Sequence, residues 1–175
     1  MKRTLALLAA LVLAATAFAQ SDYENVDPSG QTVTFWHQHS GIRQDMLVEI
    51  VDDFNATNPY GITVVQENQG GYGDIFNKML VLLGTADTPN LVVAYQNQAA
   101  TYQVADGLID MAPLVQSPKW GYSEDELADF FQGFLRADVN PTFDNQRLGF
   151  PPNRSAEVMY FNLTWLQEMG YDGPP

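Results

Sequence analysis

Residues 33–37 read VTFWH, and this run of β-branched and aromatic side chains is typical of a buried strand. After it, apolar residues recur at helical spacing between Ile42 and Phe54, with charged residues among them. Residues 58–61 read NPYG, which ends a helix, and residues 62–66 predict a second strand. The opening stretch therefore indicates a strand–helix–strand unit.

The alternation of strands and helices continues along the chain. A glycine-rich turn at residues 70–73 precedes an amphipathic helix over 75–83, and residues 90–95 predict a third apolar strand. The remaining predicted elements are a short helix over 98–105, a helix over 123–136 that opens with the capping pair Ser123 and Glu126, strands over 147–151 and 158–162, and a helix over 163–169. Such a series predicts an α/β fold with a mostly parallel sheet flanked by helices on both faces.

The first residues have the three-part layout of a secretory signal peptide. Two basic residues follow Met1, residues 5–15 are apolar without a charge, and small residues precede Gln20. A membrane anchor is the alternative, but the run offers about 15 apolar residues where a spanning helix needs about 20. We expect a signal peptide over residues 1–19, cleaved between Ala19 and Gln20. A polar lead-in over 20–31 follows it.

Cysteine content and charge exclude several classes of protein. The chain has no cysteine, so we expect neither disulfides nor a lipid-modified N-terminal cysteine. Its formal net charge is −13, and loss of Lys2 and Arg3 with the leader would make it −15. A surface this acidic repels nucleic-acid phosphates and anionic lipids, so neither is an expected partner. A small solute remains compatible, because a few local groups can override distant charges.

The predicted sheet points to a ligand crevice. In open α/β sheets, ligands bind beyond the carboxyl ends of the strands. In this chain that rule selects the loops at residues 38–41, 69–73 and 96–98, which are rich in amides, glycine and aromatic residues. Flat aromatic rings suit the C–H face of a sugar, and amides suit its hydroxyls. The candidate binding residues from this reasoning are Trp36, Tyr72, Tyr95, Gln96 and Asn97.

Two histidines allow a second interpretation of the first loop. His37 and His39 are two residues apart, so on a strand they would share one face and could hold zinc. The chain has no further histidine and no cysteine, so only acids such as Asp45 or Glu67 could complete the site. Hydrogen bonding in the crevice or plain loop packing is the alternative, and both histidines are kept as candidate ligand-binding residues.

A hydrolase was the other alternative from the residues alone. Asp110, Glu124, Asp125 and Glu126 could supply a pair of catalytic acids. However, acids at residues 124–126 also suit the start of a helix, where they meet the positive end of its dipole. The sequence contains no nucleophile elbow, no zinc-protease motif and no phosphate-binding loop. Enzymatic activity is therefore not expected.

Several short motifs, each unspecific alone, follow one another in a specific order. They are FWH at 35–37, FNATNP at 54–59, GY at 71–72, PNL at 89–91, GFP at 149–151, and Ser155 followed by YFN at 160–162. In this order they resemble the family 1 extracellular solute-binding proteins of ABC importers, over about residues 32–175. The chain is similar to the glycerol-3-phosphate-binding branch and, more distantly, to maltose-binding proteins.

The resemblance implies two α/β lobes joined by a hinge, which close on a sugar, a polyol or a related solute. Residues 32–153 would form lobe one, a periplasmic-binding-protein-like lobe. Residues 154–175 would form the hinge crossing and the start of lobe two. Because family members are usually much longer, we expect lobe two to be largely missing from this sequence.

The resemblance also implies roles for particular residues. Tyr72 matches a tyrosine of the cleft, and Ser155 matches a serine at the hinge crossing that hydrogen-bonds the ligand. Gln96 stands where the glycerol-3-phosphate branch has glutamate, and an amide holds hydroxyls differently from a carboxylate. Arg154 stands where that branch has serine, and it could pair with an anionic ligand or brace the hinge. Glycerol-3-phosphate is one candidate within a class of sugars, polyols and polyol phosphates.

The expected function follows from these observations. The protein would capture a small polar solute outside the cytoplasm, in the periplasm or extracellular space, and deliver it to the permease of an ABC importer. We expect a monomer that needs no cofactor and performs no catalysis. A secreted hydrolase or a metal-binding protein is the alternative.

Overall fold

The structure is a computed structural model, and it describes residues 22–151, 153–155 and 157–173. The predicted signal peptide over residues 1–19 and its cleavage site before Gln20 lie outside the described residues. The lead-in is described from Asp22 onward, where it begins with a 3₁₀ turn over Asp22–Asn25.

Within the described residues, five strands and seven α-helices follow in chain order. They are β1 (Thr32–His37), α1 (Ile42–Thr57), β2 (Thr63–Asn68), α2 (Tyr72–Leu82), β3 (Leu91–Val92), α3 (Gln96–Val104), α4 (Ala112–Val115), α5 (Glu124–Asp129), α6 (Gln132–Ala137), β4 (Val139–Asn140), β5 (Gln146–Arg147) and α7 (Leu163–Glu168). A second 3₁₀ turn, Pro141–Phe143, lies between β4 and β5.

The main sheet is parallel and has β1 at its centre. Its strand order is β2-β1-β3, and all six residues of β1 pair with β2, from Thr32 opposite Thr63 to His37 opposite Asn68. The pairing with β3 covers only Phe35 and Trp36 of β1. The predicted α/β fold with a parallel sheet flanked by helices is confirmed, because each parallel strand returns through a helix as such connections require.

The asparagine-rich segment at the end of α1 ties the helix to β2. The side chain of Asn55 donates to the carbonyl of Val64 and accepts from its N–H. Asn58 does the same for Ile62, and it also donates to the carbonyl of Phe54 in the last helical turn. These amides pair with the backbone groups of Ile62 and Val64 at the start of β2, which gives the two asparagines of the FNATNP motif a structural role.

The hydrophobic core lies between the sheet and the helices α2 and α3. Its buried members are Trp36 from β1, Ile75 and Met79 from α2, and Tyr102 from α3. The Tyr102 ring stacks on Phe76, with ring centroids 5.7 Å apart. Helix α2 is thereby fixed on the sheet, which places its first residue at the carboxyl end of the strands.

The hydroxyl of Tyr102 is buried and has no hydrogen-bond partner. Burial raises the pKa of Tyr102 to about 12, because the phenolate would have no solvation there. We expect Tyr102→Phe to leave the stability unchanged or to raise the free energy of unfolding by about 1 kcal/mol, since the substitution removes an unsatisfied buried hydroxyl. Urea unfolding measures this effect, with the solvent-exposed Tyr60→Phe as the control. A loss of more than about 1 kcal/mol for Tyr102→Phe alone would show that the hydroxyl has a partner.

The predicted helix over 123–136 is wrong as a single element. The structure divides it into α5 and α6, because Phe130 and Phe131 both take extended backbone conformations. The break turns the Phe130 ring onto Tyr122 and Phe150, with centroids 5.8 Å and 5.2 Å away. Aromatic packing outweighs local helix propensity at this point.

Two predicted strands also differ from the structure. The strand predicted over 147–151 is reduced to Gln146–Arg147, which pairs antiparallel with Val139–Asn140. Residues 158–162 form no strand, and the apolar side chains at 158–161 are exposed. A strand needs a neighbouring strand for its backbone hydrogen bonds, and the described residues place none beside this segment.

Candidate functional site

The carboxyl ends of the three parallel strands meet at one edge of the sheet. His37 ends β1 opposite Asn68 of β2, and Trp36 lies opposite Val92 of β3. The segments that follow are residues 38–41, 69–71 and 93–95, and the next residues open α2 and α3. We call this edge the crevice.

Tyr72 and Tyr95 form a stacked pair in the crevice. Their ring centroids are 4.2 Å apart and their planes differ by 25°. Gln98 donates from Nε2 to the backbone carbonyl of Tyr72 at 3.2 Å and accepts from the N–H of Tyr95 at 2.9 Å, which fixes the two residues together. Tyr95 is 52% exposed, so its ring offers a flat apolar surface to a solute.

The hydroxyl of Tyr72 is fixed by the first loop. Gln38 donates from Nε2 to this hydroxyl at 2.9 Å. Burial raises the pKa of Tyr72, the neighbouring Tyr95 adds to the increase, and the positive charge of Arg154 partly opposes it. The hydroxyl therefore keeps its proton and can still donate to a solute oxygen.

Three polar residues from distant parts of the chain meet beside this pair. Arg154 approaches both carboxylate oxygens of Asp138 at 2.5 Å through Nη2. Gln96 donates from Nε2 to Oδ1 of Asp138 at 3.3 Å. The Asp138 side chain is 8% exposed and that of Arg154 is 20% exposed, so the pair is largely removed from solvent. This ion pair joins Arg154 to the segment between α6 and β4.

Asp138 was not among the residues predicted from the sequence. It lies between α6 and β4, on an element too short to give a periodic signal. The chain contains 21 acidic residues, and nothing in the local sequence distinguishes Asp138 from the others. An arginine in a polar segment indicates that an acidic partner exists, but not which one.

Two buried polar atoms in the crevice lack hydrogen-bond partners. They are Oε1 of Gln38, whose Nε2 contacts Tyr72, and Nε of Arg154. Buried polar atoms are nearly always paired in folded proteins, so unpaired ones call for an explanation. Both belong to side chains that also contact residues of the crevice.

The other predicted binding residues are distributed differently. Ser155 is exposed and follows Arg154 directly, and Asn97 is exposed in the first turn of α3. Trp36 is 8% exposed and belongs to the core, where its Nε1 donates to Oε2 of Glu67 at 2.9 Å. The Trp36 ring therefore packs in the core beneath the crevice and is not available to contact a solute there.

His37 is fully buried, and both of its ring nitrogens are engaged. Nδ1 accepts from the N–H of His39 at 3.2 Å, so the hydrogen lies on Nε2, which donates to Oε1 of Gln66 at 2.5 Å. His39 stacks on His37, with ring centroids 5.8 Å apart. Burial lowers the pKa of His39, and the neighbouring His37 and Arg43 lower it further. Among the described residues no group of three or more His, Cys, Asp or Glu side chains could hold a metal ion.

An apolar hollow lies at the opposite end of the sheet. It has a volume of about 380 Å³ and is bounded by the lead-in, the end of α1 and Trp120. Trp120 holds the lead-in by donating from Nε1 to the carbonyl of Tyr23 at 2.8 Å. The wall of this hollow is apolar, so it lacks the fixed polar groups that orient a hydroxylated ligand.

Residues 49–175 match the family model described as "Bacterial extracellular solute-binding protein". The chain belongs to this family. The match covers the part of the crevice built by Tyr72, Tyr95, Gln96, Asp138 and Arg154, and it confirms the resemblance inferred from the motifs.

Curated members of related sequence carry one name, sn-glycerol-3-phosphate-binding periplasmic protein. The relative from Rhizobium meliloti is 25% identical over 144 residues, which is 81% of this chain and 32% of the relative. The relative from Brucella abortus is 25% identical over 164 residues, or 93% of this chain and 34% of the relative. That from Shigella flexneri is 21% identical over 141 residues. This solute-binding family chain thus spans about a third of the length of the curated relatives that it matches.

The helices of the described part of the chain are short or polar. None of them is long and apolar enough to cross a membrane.

Proposed function

We propose that this protein is the substrate-binding component of an ABC importer, and that it captures a sugar, a polyol or a polyol phosphate in the periplasm or extracellular space. The observation that carries the proposal is the crevice of a solute-binding family member. There a stacked tyrosine pair lies beside a glutamine, a carboxylate and a guanidinium. Aromatic faces with fixed polar groups at their rim are what a polyhydroxylated solute requires.

Each member of the crevice has a distinct part in binding. The exposed ring of Tyr95 would contact the C–H face of the solute, and the Tyr72 hydroxyl would donate to one of its oxygens. Gln96 uses its Nε2 on Asp138, which leaves Oε1 to accept a solute hydroxyl. Ser155, exposed beside Arg154, would supply a further hydroxyl from the hinge side.

The proposed mechanism is trapping without chemistry. Lobe one, residues 32–153, would hold the solute weakly, and bending at the hinge would bring lobe two over it. The apolar side chains at 158–161 are exposed, as expected of residues that belong to the sheet of another lobe. The closed monomer would then dock on the permease and release the solute.

The catalytic alternative has little support in the crevice. Glu126, one of the acids considered for a hydrolase, caps α5 through Ser123, and its hydrogen bonds to that residue lower the pKa of its carboxyl. Asp110 accepts from the N–H groups of Ala112 and Arg147, which gives it a structural role. These contacts explain both acids without a reaction.

Isothermal titration calorimetry of the full-length mature protein with a broad panel of sugars, polyols and their phosphates tests the proposal. We expect at least one member to bind, and Tyr95→Ala to weaken that binding at least about tenfold, because it removes the exposed stacking surface. Tyr60→Ala is the matched control, since Tyr60 lies at the other end of the sheet beside Trp120. The proposal fails if no panel member binds, or if both substitutions weaken binding equally.

A further inference from the structure

We propose that Asp138 makes the crevice selective for uncharged polyhydroxylated solutes over their phosphate esters, because it neutralises Arg154. This inference rests on the proposed function and narrows its substrate class from sugars, polyols and polyol phosphates to the neutral members. It assigns a specificity-determining role to a residue that contacts the binding groups.

The contact with Asp138 offsets the positive charge of Arg154, although it engages only Nη2 and leaves the buried Nε without a partner. The Nη2 atom approaches both oxygens of Asp138 at 2.5 Å. The ion pair that the guanidinium and the carboxylate form has no net charge. Both side chains are largely buried, so solvent screens their interaction weakly. A phosphate that approached Arg154 would have to displace Asp138 or lie beside its negative charge.

Electrostatics therefore favours a hydroxyl over a phosphate at this position. Like charges at close range repel strongly where solvent is excluded, so a phosphate beside the Asp138 carboxylate is disfavoured. A hydroxyl suffers no such repulsion, and it can donate to a carboxylate oxygen or accept from a guanidinium N–H. The same ion pair that discourages an anion is thus compatible with a polyol.

Asp138 also determines how Gln96 faces the solute. A carboxylate only accepts hydrogen bonds, so the amide of Gln96 must turn its Nε2 toward Oδ1 of Asp138. Its Oε1 then points away from Asp138 and can accept from a solute hydroxyl. A phosphate oxygen at that place would meet an acceptor instead of a donor, which adds a second preference for neutral solutes.

Calorimetry on the full-length mature protein, with matched probes, tests the inference. The probes are glucose with glucose 6-phosphate and glycerol with sn-glycerol 3-phosphate, together with the neutral solute from the panel and its phosphate ester. We expect the wild type to bind the neutral member of the pair at least tenfold more tightly than the ester. Asp138→Asn should reduce that ratio at least tenfold, because it frees the charge of Arg154.

The control is Asp144→Asn, which changes the net charge equally at an exposed turn between β4 and β5. It should leave the ratio within about twofold of the wild type, since a distant exposed charge is screened. The ratio of affinities for the neutral solute and its ester is measured on the wild type itself. The inference can therefore still be tested if Asp138→Asn folds poorly. Tighter binding of the ester by the wild type, or equal effects of the two substitutions, would overturn the role of Asp138 while leaving the proposed function intact. Absence of binding by every probe would overturn both.

Discussion

Ile75→Ala is expected to lower the free energy of unfolding by about 2–5 kcal/mol, the range for emptying a buried aliphatic site. Ile75 is fully buried in the core with Trp36, Met79 and Tyr102, so the space it leaves cannot fill with solvent. The same helix begins at Tyr72, three residues earlier. We therefore also expect weaker solute binding, because the helix that carries Tyr72 loses its main attachment to the sheet. Urea unfolding and calorimetry measure the two effects.

Val81→Ala provides the matched control for that experiment. Val81 lies on the same helix but is 76% exposed, so its truncation should cost no more than about 0.5 kcal/mol and leave binding unchanged. If the two variants lost similar stability, the position of α2 on the sheet would be wrong.

Gly121→Ala is expected to lower the free energy of unfolding by about 3 kcal/mol, at the upper end of the usual cost of overpacking. A Cβ atom at this position would lie 2.3 Å from the carbonyl oxygen of Val115 and 2.7 Å from those of Leu114 and Ser117. Backbone oxygens cannot rotate away as the end of a side chain can, so the turn itself must shift. The shift would move Tyr122, which stacks on Phe150 at 5.1 Å.

Gly133→Ala is the contrasting substitution. It lies in α6, where an added Cβ meets nothing within 4 Å, so the variant should be more stable by about 0.5–1 kcal/mol through the higher helix propensity of alanine. Thermal and urea unfolding of the two variants side by side give the comparison. A stable Gly121→Ala protein would contradict the close approach of the chain at residues 114–117.

The parallel sheet was predictable because its residues carry a strong local signal. The VTFWH run and the amphipathic pattern of residues 75–83 correspond to β1 and α2 within a few residues. The failures lie where tertiary contacts decide. The Phe130 ring interrupts a helix that its own neighbours favour, because it packs on Phe150, which lies 20 residues further along the chain. No pattern of local sequence contains that contact.

The candidate site divides in the same way. Tyr72, Tyr95 and Gln96 could be proposed because they follow strands, and the structure brings them to one crevice. Trp36 was proposed on the same ground, but its ring is buried in the core against α2 and α3. Asp138 lies in the crevice because the chain between Gln96 and Asp138 returns to the same edge of the sheet, and local sequence patterns do not specify that path.

The strand order β2-β1-β3 has a consequence for how this architecture can vary. In the described part of the chain, β2 and β3 each pair with β1 alone, so no strand pairs with the outer side of either. On β2, the Asn55 side chain bonds both backbone groups of Val64 on that side. Additional strands could join at these margins and broaden the platform without disturbing the register of β1. The width of the sheet can therefore change without altering the proposed binding residues. Added strands would extend the sheet at its edges, whereas those residues lie at the carboxyl ends of the strands.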